Sequence, residues 1–154
     1  MLKLTAAYGC VKNSVAQVPE KITMAGNGSE GFQLCLTGDG TPTEVMLSIT
    51  TPDGIAQSAF QMLTVPTGET RTVDSLVPVE EKIVLTDVVR FYVRLTAKNA
   101  NVTGEITCTV QSDSGETATV VLPVRVWDFM LPETPACRVV MGIERECIAK
   151  LHGV

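Results

Sequence analysis

Apolar residues in this chain recur with a period of two, and that feature decides what it can fold into. Val120, Leu122, Val124 and Val126 fall on one side of an extended run, with Val121, Pro123, Arg125 and Trp127 on the other. Phe91, Val93 and Leu95 alternate with Tyr92, Arg94 and Thr96, and Val45, Leu47 and Ile49 with Met46, Ser48 and Thr50. Ile106, Cys108 and Val110 alternate with Thr107, Thr109 and Gln111, and Phe32, Leu34 and Leu36 with Gln33 and Cys35. Successive side chains on a strand point to opposite faces, so each run is a strand with one buried face. A slip of one residue would turn a whole apolar set to water, and burial therefore fixes each register.

Turn chemistry punctuates the runs. Gly38-Asp39-Gly40, Pro52-Asp53-Gly54, Pro66-Thr67-Gly68 and Asp113-Ser114-Gly115 combine the fixed φ of proline with the positive φ that glycine tolerates. Seven or eight short strands, with turns at roughly 8–15 residue intervals and no helical pattern before residue 140, predict an all-β, immunoglobulin-like antiparallel β-sandwich. Residues 66–81, PTGETRTVDSLVPVEE, read as a long irregular connection with weak strand character. From Leu131 the pattern changes. Leu131-Pro-Glu-Thr-Pro135 is an extended linker, because a residue before proline avoids the α region. Ile143, Cys147 and Leu151 then recur at helical spacing over a short amphipathic segment. The expected organisation is a sandwich domain at 1–131, then a linker and the truncated start of a following domain at 132–154.

Composition narrows the function. A chain of 154 residues has room for one domain with a proper core. Twelve Lys+Arg against seventeen Asp+Glu leave a net charge of −5, which argues against a nucleic-acid partner. Pure apolar runs are short, so no segment reads as a membrane-spanning helix, and the N-terminus lacks the apolar core of a signal peptide. The five cysteines, Cys10, Cys35, Cys108, Cys137 and Cys147, form no C-x-x-C pair and are odd in number. In strand contexts they read as reduced, buried small hydrophobes, which favours a cytoplasmic setting. His152, the single histidine, sits too near the C-terminus for a triad, a dyad or a zinc site. Asp39, Asp53 and Asp113 are turn formers, and Glu30 and Asp74 cap loops. Glu80 and Glu81 are adjacent on an extended chain and point apart, unlike the facing carboxylates of glycoside hydrolysis. No cofactor or metal site is expected.

Seven aromatic residues remain: Trp127, Tyr8, Tyr92 and four phenylalanines. Phe32, Phe60 and Phe91 sit in apolar alternation and read as core. Arg125, Trp127 and Phe129 lie where the last strand meets the linker, a position suited to contact with another domain. The other reading of those three residues is direct glycan contact through aromatic stacking. Phe129 and Leu131 are further expected to cover the open end of the core.

Four stretches carry a family resemblance. Ile22-Thr-Met-Ala-Gly-Asn-Gly-Ser-Glu-Gly-Phe-Gln-Leu-Cys-Leu36 resembles the strand pair that opens the bacterial glycoside hydrolase family 123 proteins and the related domain of unknown function 4091. Asp74-Ser-Leu-Val-Pro78 looks like their Asp-x-Leu-x-Pro loop, and Thr103-Gly-Glu-Ile-Thr-Cys-Thr-Val110 like their Thr-Gly-x-Ile-x-Val-x-Val strand. Val124-Arg-Val-Trp-Asp-Phe-Met-Leu-Pro-Glu-Thr-Pro135 is similar to their strand-to-linker signature and is the most specific of the four. Gly28 departs from the family's glutamate, and Asn99-Ala-Asn-Val102 from its Pro-Gly-x-Tyr lead. The resemblance covers about residues 20–140 and implies an N-terminal β-sandwich. In that family the active site lies on a following TIM-type barrel, where an Asp-Glu pair assists hydrolysis of N-acetylgalactosaminides through the substrate's acetamido group. Such a barrel needs roughly 200 residues or more, and this sequence has no Asp-Glu dipeptide. The catalytic pair is not carried over. The implied role is a noncatalytic accessory domain that braces a barrel domain of the same protein, and the alternative is a carbohydrate-binding module.

Overall fold

The computed structural model describes residues 1–8, 19–67, 70–79 and 81–134. They form ten strands: β1 (Lys3–Tyr8), β2 (Ile22–Gly26), β3 (Ser29–Thr37), β4 (Thr43–Thr50), β5 (Ile55–Thr67), β6 (Thr70–Pro78), β7 (Ile83–Leu85), β8 (Val88–Ala97), β9 (Thr103–Ser112) and β10 (Thr117–Met130). One sheet runs β1-β3-β8-β5-β6 and the other β2-β10-β9-β4-β7. Neighbours are antiparallel except β2 and β10, which run parallel. The all-β sandwich expected from the alternation is the architecture observed.

The core follows from the period of two. Phe32, Leu34 and Leu36 of β3 lie beside Val93, Phe91 and Val89 of β8. Ile106 and Cys108 of β9 face Leu122 and Val120 of β10 in the opposite sheet. Three inward side chains from each of β3, β8, β9 and β10 are at most 1 % exposed. Leu122, Val124 and Val126 are buried as expected, Val120 is half-buried against the same cluster, and Arg125 and Trp127 lie on the other face. Fully burying one such aliphatic side chain contributes about 1.5–3 kcal/mol.

Two expectations fail, each for a reason in the register. Residues 66–67 and 70–78, within the stretch 66–81 expected to be an irregular connection, belong to strands β5 and β6, which pair from Phe60↔Pro78 to Thr67↔Thr70. Leu63 faces Ser75 while Thr64 faces Val73, so Asp74 is an extra residue, and that bulge breaks the alternation a strand is recognised by. Phe60 is half-buried instead of core. Ala59 opposes the inward Val93, so Phe60 turns to the outer face, opposite Tyr92. The strand count also exceeds expectation, because β2 and the three-residue β7 are too short to show a period. The helix expected at 143–151, His152, Glu80 and Cys10, Cys137 and Cys147 lie outside the described residues.

Cys35 and Cys108 are both free thiols, half-buried and buried respectively. Burial pushes the Cys108 thiol up to about 12, from an ordinary value of 9.0. In the unfolded chain this thiol ionises near its ordinary value, while in the folded chain it stays protonated. The unfolded state therefore binds fewer protons above pH 9, and stability falls as pH rises between the two values. Urea melts at pH 8 and pH 10 should show that loss, and Cys108→Ala should lose less between the two pH values than the native chain does.

Candidate functional site

The last strand outruns its neighbours. β9 pairs with β10 only as far as Thr103↔Arg125, while β10 continues to Met130. On its other side β2 pairs at Val124↔Ile22, Arg125↔Thr23 and Val126↔Met24, then at Met130↔Gly26 after a register shift. The projecting end is held by backbone bonds from the two connections beside it. Val126 N donates to Val102 O at 2.7 Å and Asn101 N to Trp127 O at 2.8 Å. Leu131 N donates to Gly26 O at 2.7 Å, and the Asn27 side-chain Nδ2 donates to Leu131 O at 2.9 Å.

Both supporting asparagines are left-handed, Asn27 at φ 59° and Asn101 at φ 56°. Asparagine is enriched several-fold in that region among non-glycine residues. Gly26 beside them has no room for a side chain, because a Cβ there would run into Met130 Sδ and lie 3.1 Å from Ala100 N. Sequence reasoning did not select Gly26, Asn27 or Asn101 as supports. The Asn27-Gly28 dipeptide was the available signal, and it makes the tight crossing between sheets, with Gly28 N donating to Ala25 O at 3.0 Å.

On the outer face, the Arg125 guanidinium lies 4.3 Å from the centre of the Trp127 ring. A cation over an indole contributes about 0.5–1 kcal/mol when exposed. Trp127 is 38 % exposed, Phe129 53 %, Met130 46 % and Leu131 44 %. The structure thus brings Arg125 and Trp127 together, with the exposed Phe129 two residues further along the strand. Phe129 and Leu131 do not cover the open end of the core as expected. Both stay exposed, because β10 runs past its pairing with β9 and shifts register against β2 between Val126 and Met130.

Asp39 behaves as a turn group, whereas Glu30 and Asp74, expected to cap loops, lie within β3 and β6. Asp39 Oδ1 accepts from Thr41 N at 3.1 Å, and the Met1 ammonium 3.1 Å from Asp39 Oδ2 holds this exposed carboxyl below its ordinary value. Glu30 Oε1 accepts from the neighbouring Gly31 N at 3.2 Å. Among the described residues, no three His, Cys, Asp or Glu side chains come together as a metal site would require.

No protein-family model matches the chain, and no curated protein matches it. Among solved structures it is similar to a family 123 glycoside hydrolase from Clostridium perfringens, studied for glycolipid glycan hydrolysis, with a TM-score of 0.62 and 11 % identity. That likeness covers 86 % of this chain and 28 % of the enzyme, so the chain spans just over a quarter of its length. It shows the fold. The BIgI domain of the beta protein from S. agalactiae, solved bound to CEACAM1, is similar over 82 % of this chain and 97 % of its own, at 14 % identity and a TM-score of 0.44.

Asn27→Ala should destabilise the chain by about 1–2 kcal/mol, since alanine is strained at positive φ and the Leu131 carbonyl loses its donor. Asn27→Gly keeps the conformation and should cost less than Asn27→Ala in the same urea melts.

Proposed function

We propose that this chain is a noncatalytic accessory domain of a longer glycosidase-type protein, and that the outer end of β10 packs against the neighbouring domain. The observation that carries this reading is the apolar end of β10 and the residue after it, where Trp127, Phe129, Met130 and Leu131 are each exposed on a backbone tied down by four hydrogen bonds. An apolar patch at the end of a last strand, on a fixed backbone, suits an interface between domains of one protein. The family 123 resemblance and the likeness to 28 % of a longer hydrolase support the same placement. Direct glycan binding through Trp127 fits less well. Stacking a sugar needs an open ring face, and the Arg125 guanidinium occupies one face of the indole.

Activity, binding and stability measurements test this. Purified chain should not turn over a chromogenic N-acetylgalactosaminide above a heat-treated control, and turnover would overturn the noncatalytic reading. Trp127 is the single tryptophan, so its emission reports on that site alone. Titration with N-acetylgalactosamine should leave the emission unchanged, whereas a saturable shift would favour the carbohydrate-binding module. Trp127→Ser with Phe129→Ser should change the stability of the isolated chain by under about 1 kcal/mol. In the longer protein the same pair should separate the melting of this domain from that of its neighbour.

A further inference from the structure

Among the described residues, the opposite side of the sandwich is open. β7 pairs with β4 only at Thr43, Glu44 and Val45, so Met46–Thr50 has no neighbour on that side among the described residues. In the other sheet, β6 reaches β5 at Phe60↔Pro78, and Val79 N donates to Ala59 O at 3.0 Å, which leaves Ala56–Ser58 without a neighbouring strand on that side among the described residues. The two bare edges face each other across a cleft of about 390 Å³ lined by Leu47, Ile49, Gln57, Ala59 and Val79. Gln57 pairs with the fully buried Leu95 and so faces inward, yet it is exposed, because the sheets part here.

The direction of the unpaired groups can be derived. Asp113 N donates to Glu44 O on the β9 side at 3.0 Å. Hydrogen-bonding direction alternates along an antiparallel strand, so the N–H and C=O groups of Leu47 and Ile49 point away from β9, toward the bare edge. Natural edges are blunted by lysine, proline or other charges. β1 carries Lys3, β2 follows Lys21, and β6 contains Arg71, Asp74 and Pro78, but Met-Leu-Ser-Ile-Thr has neither charge nor proline.

We infer that the edge of β4 is a self-association site, where a second copy of this chain adds its own β4 antiparallel. The fit is self-complementary. Pairing about Ser48 sets Leu47 against Ile49 of the second copy, Met46 against Thr50 and Ser48 against Ser48. Leu47 and Ile49 then exchange both backbone bonds with their opposites, and no like charges meet. A twofold joint requires this reciprocity. β7 blocks one end and the Thr51–Gly54 turn the other, so a five-residue edge meets a five-residue gap. The joint is short and belongs with transient interfaces, below about 1,200 Å² in total.

Sedimentation of the whole chain across a concentration series should show mass rising from 16.5 kDa toward twice that value. Ser48 is exposed, and its Cβ would oppose its own copy across the axis. Ser48→Lys and Ser48→Glu should each weaken association several-fold at low ionic strength, and an equimolar mixture should restore it. Amide exchange at Leu47 and Ile49 in the native chain should slow with concentration, which reads the same pairing without a substitution. A single-chain mass at millimolar concentration would overturn the inference. So would a dimer indifferent to both variants, with unchanged exchange at Leu47 and Ile49, since that copy would sit on another surface.

Discussion

Burial of three alternate side chains from each of β3, β8, β9 and β10 is the interaction on which the other features rest. These side chains are at most 1 % exposed, and they come from the two middle pairs of strands, one pair in each sheet. Once Phe91 and Leu122 point inward, Tyr92 and Arg94 must lie outside on β8, and Val121, Pro123, Arg125 and Trp127 outside on β10. The contact between Arg125 and Trp127 therefore follows from core register. Two residues of one strand, two apart, share a face, and a long cation reaches the neighbouring ring.

The centre of the fold was legible in the sequence for that reason, and its periphery was not. Alternation identified the inward sets of β3, β8, β9 and β10 residue by residue. It failed at β5 and β6, where the extra Asp74 shifts the phase and where Pro66, a residue that favours turns, lies inside a strand. It also misplaced Phe60, because a phenylalanine in an apolar run reads as core on either face. Only pairing to β8 shows that Ala59 is the inward residue. Arg125 and Trp127 were identifiable as an outer pair from parity alone. The supports beneath them depend on contacts of Asn27 with Leu131, 104 residues away, and of Asn101, in the turn from β8 to β9, with Trp127, which no local pattern encodes.

Unequal strand lengths explain where this sandwich offers surface. β10 has 14 residues against five in β2, and β4 has eight against three in β7. Each mismatch leaves something uncovered, and the two leave different things. Past Thr103, β10 exposes aromatic and aliphatic side chains, while its backbone bonds are taken up by Gly26, Asn101 and Val102. Past β7, β4 exposes backbone groups, while Leu47 and Ile49 remain half-buried in the cleft.

The two proposed surfaces would therefore select partners by different physics. At the β10 end the favourable term is burial of apolar area, which is non-directional and tolerates any partner of matching shape. A neighbouring domain fits that demand, because covalent linkage supplies a high local concentration and the surface need not discriminate. At the β4 edge the term is a set of backbone hydrogen bonds with fixed spacing and direction, satisfied by an extended strand in one register. A charge at Ser48 perturbs the second surface and leaves the first untouched, and Trp127→Ser does the reverse. The two sites lie on different strands and share no side chain, so their effects should add, and each surface can be removed while the other is measured.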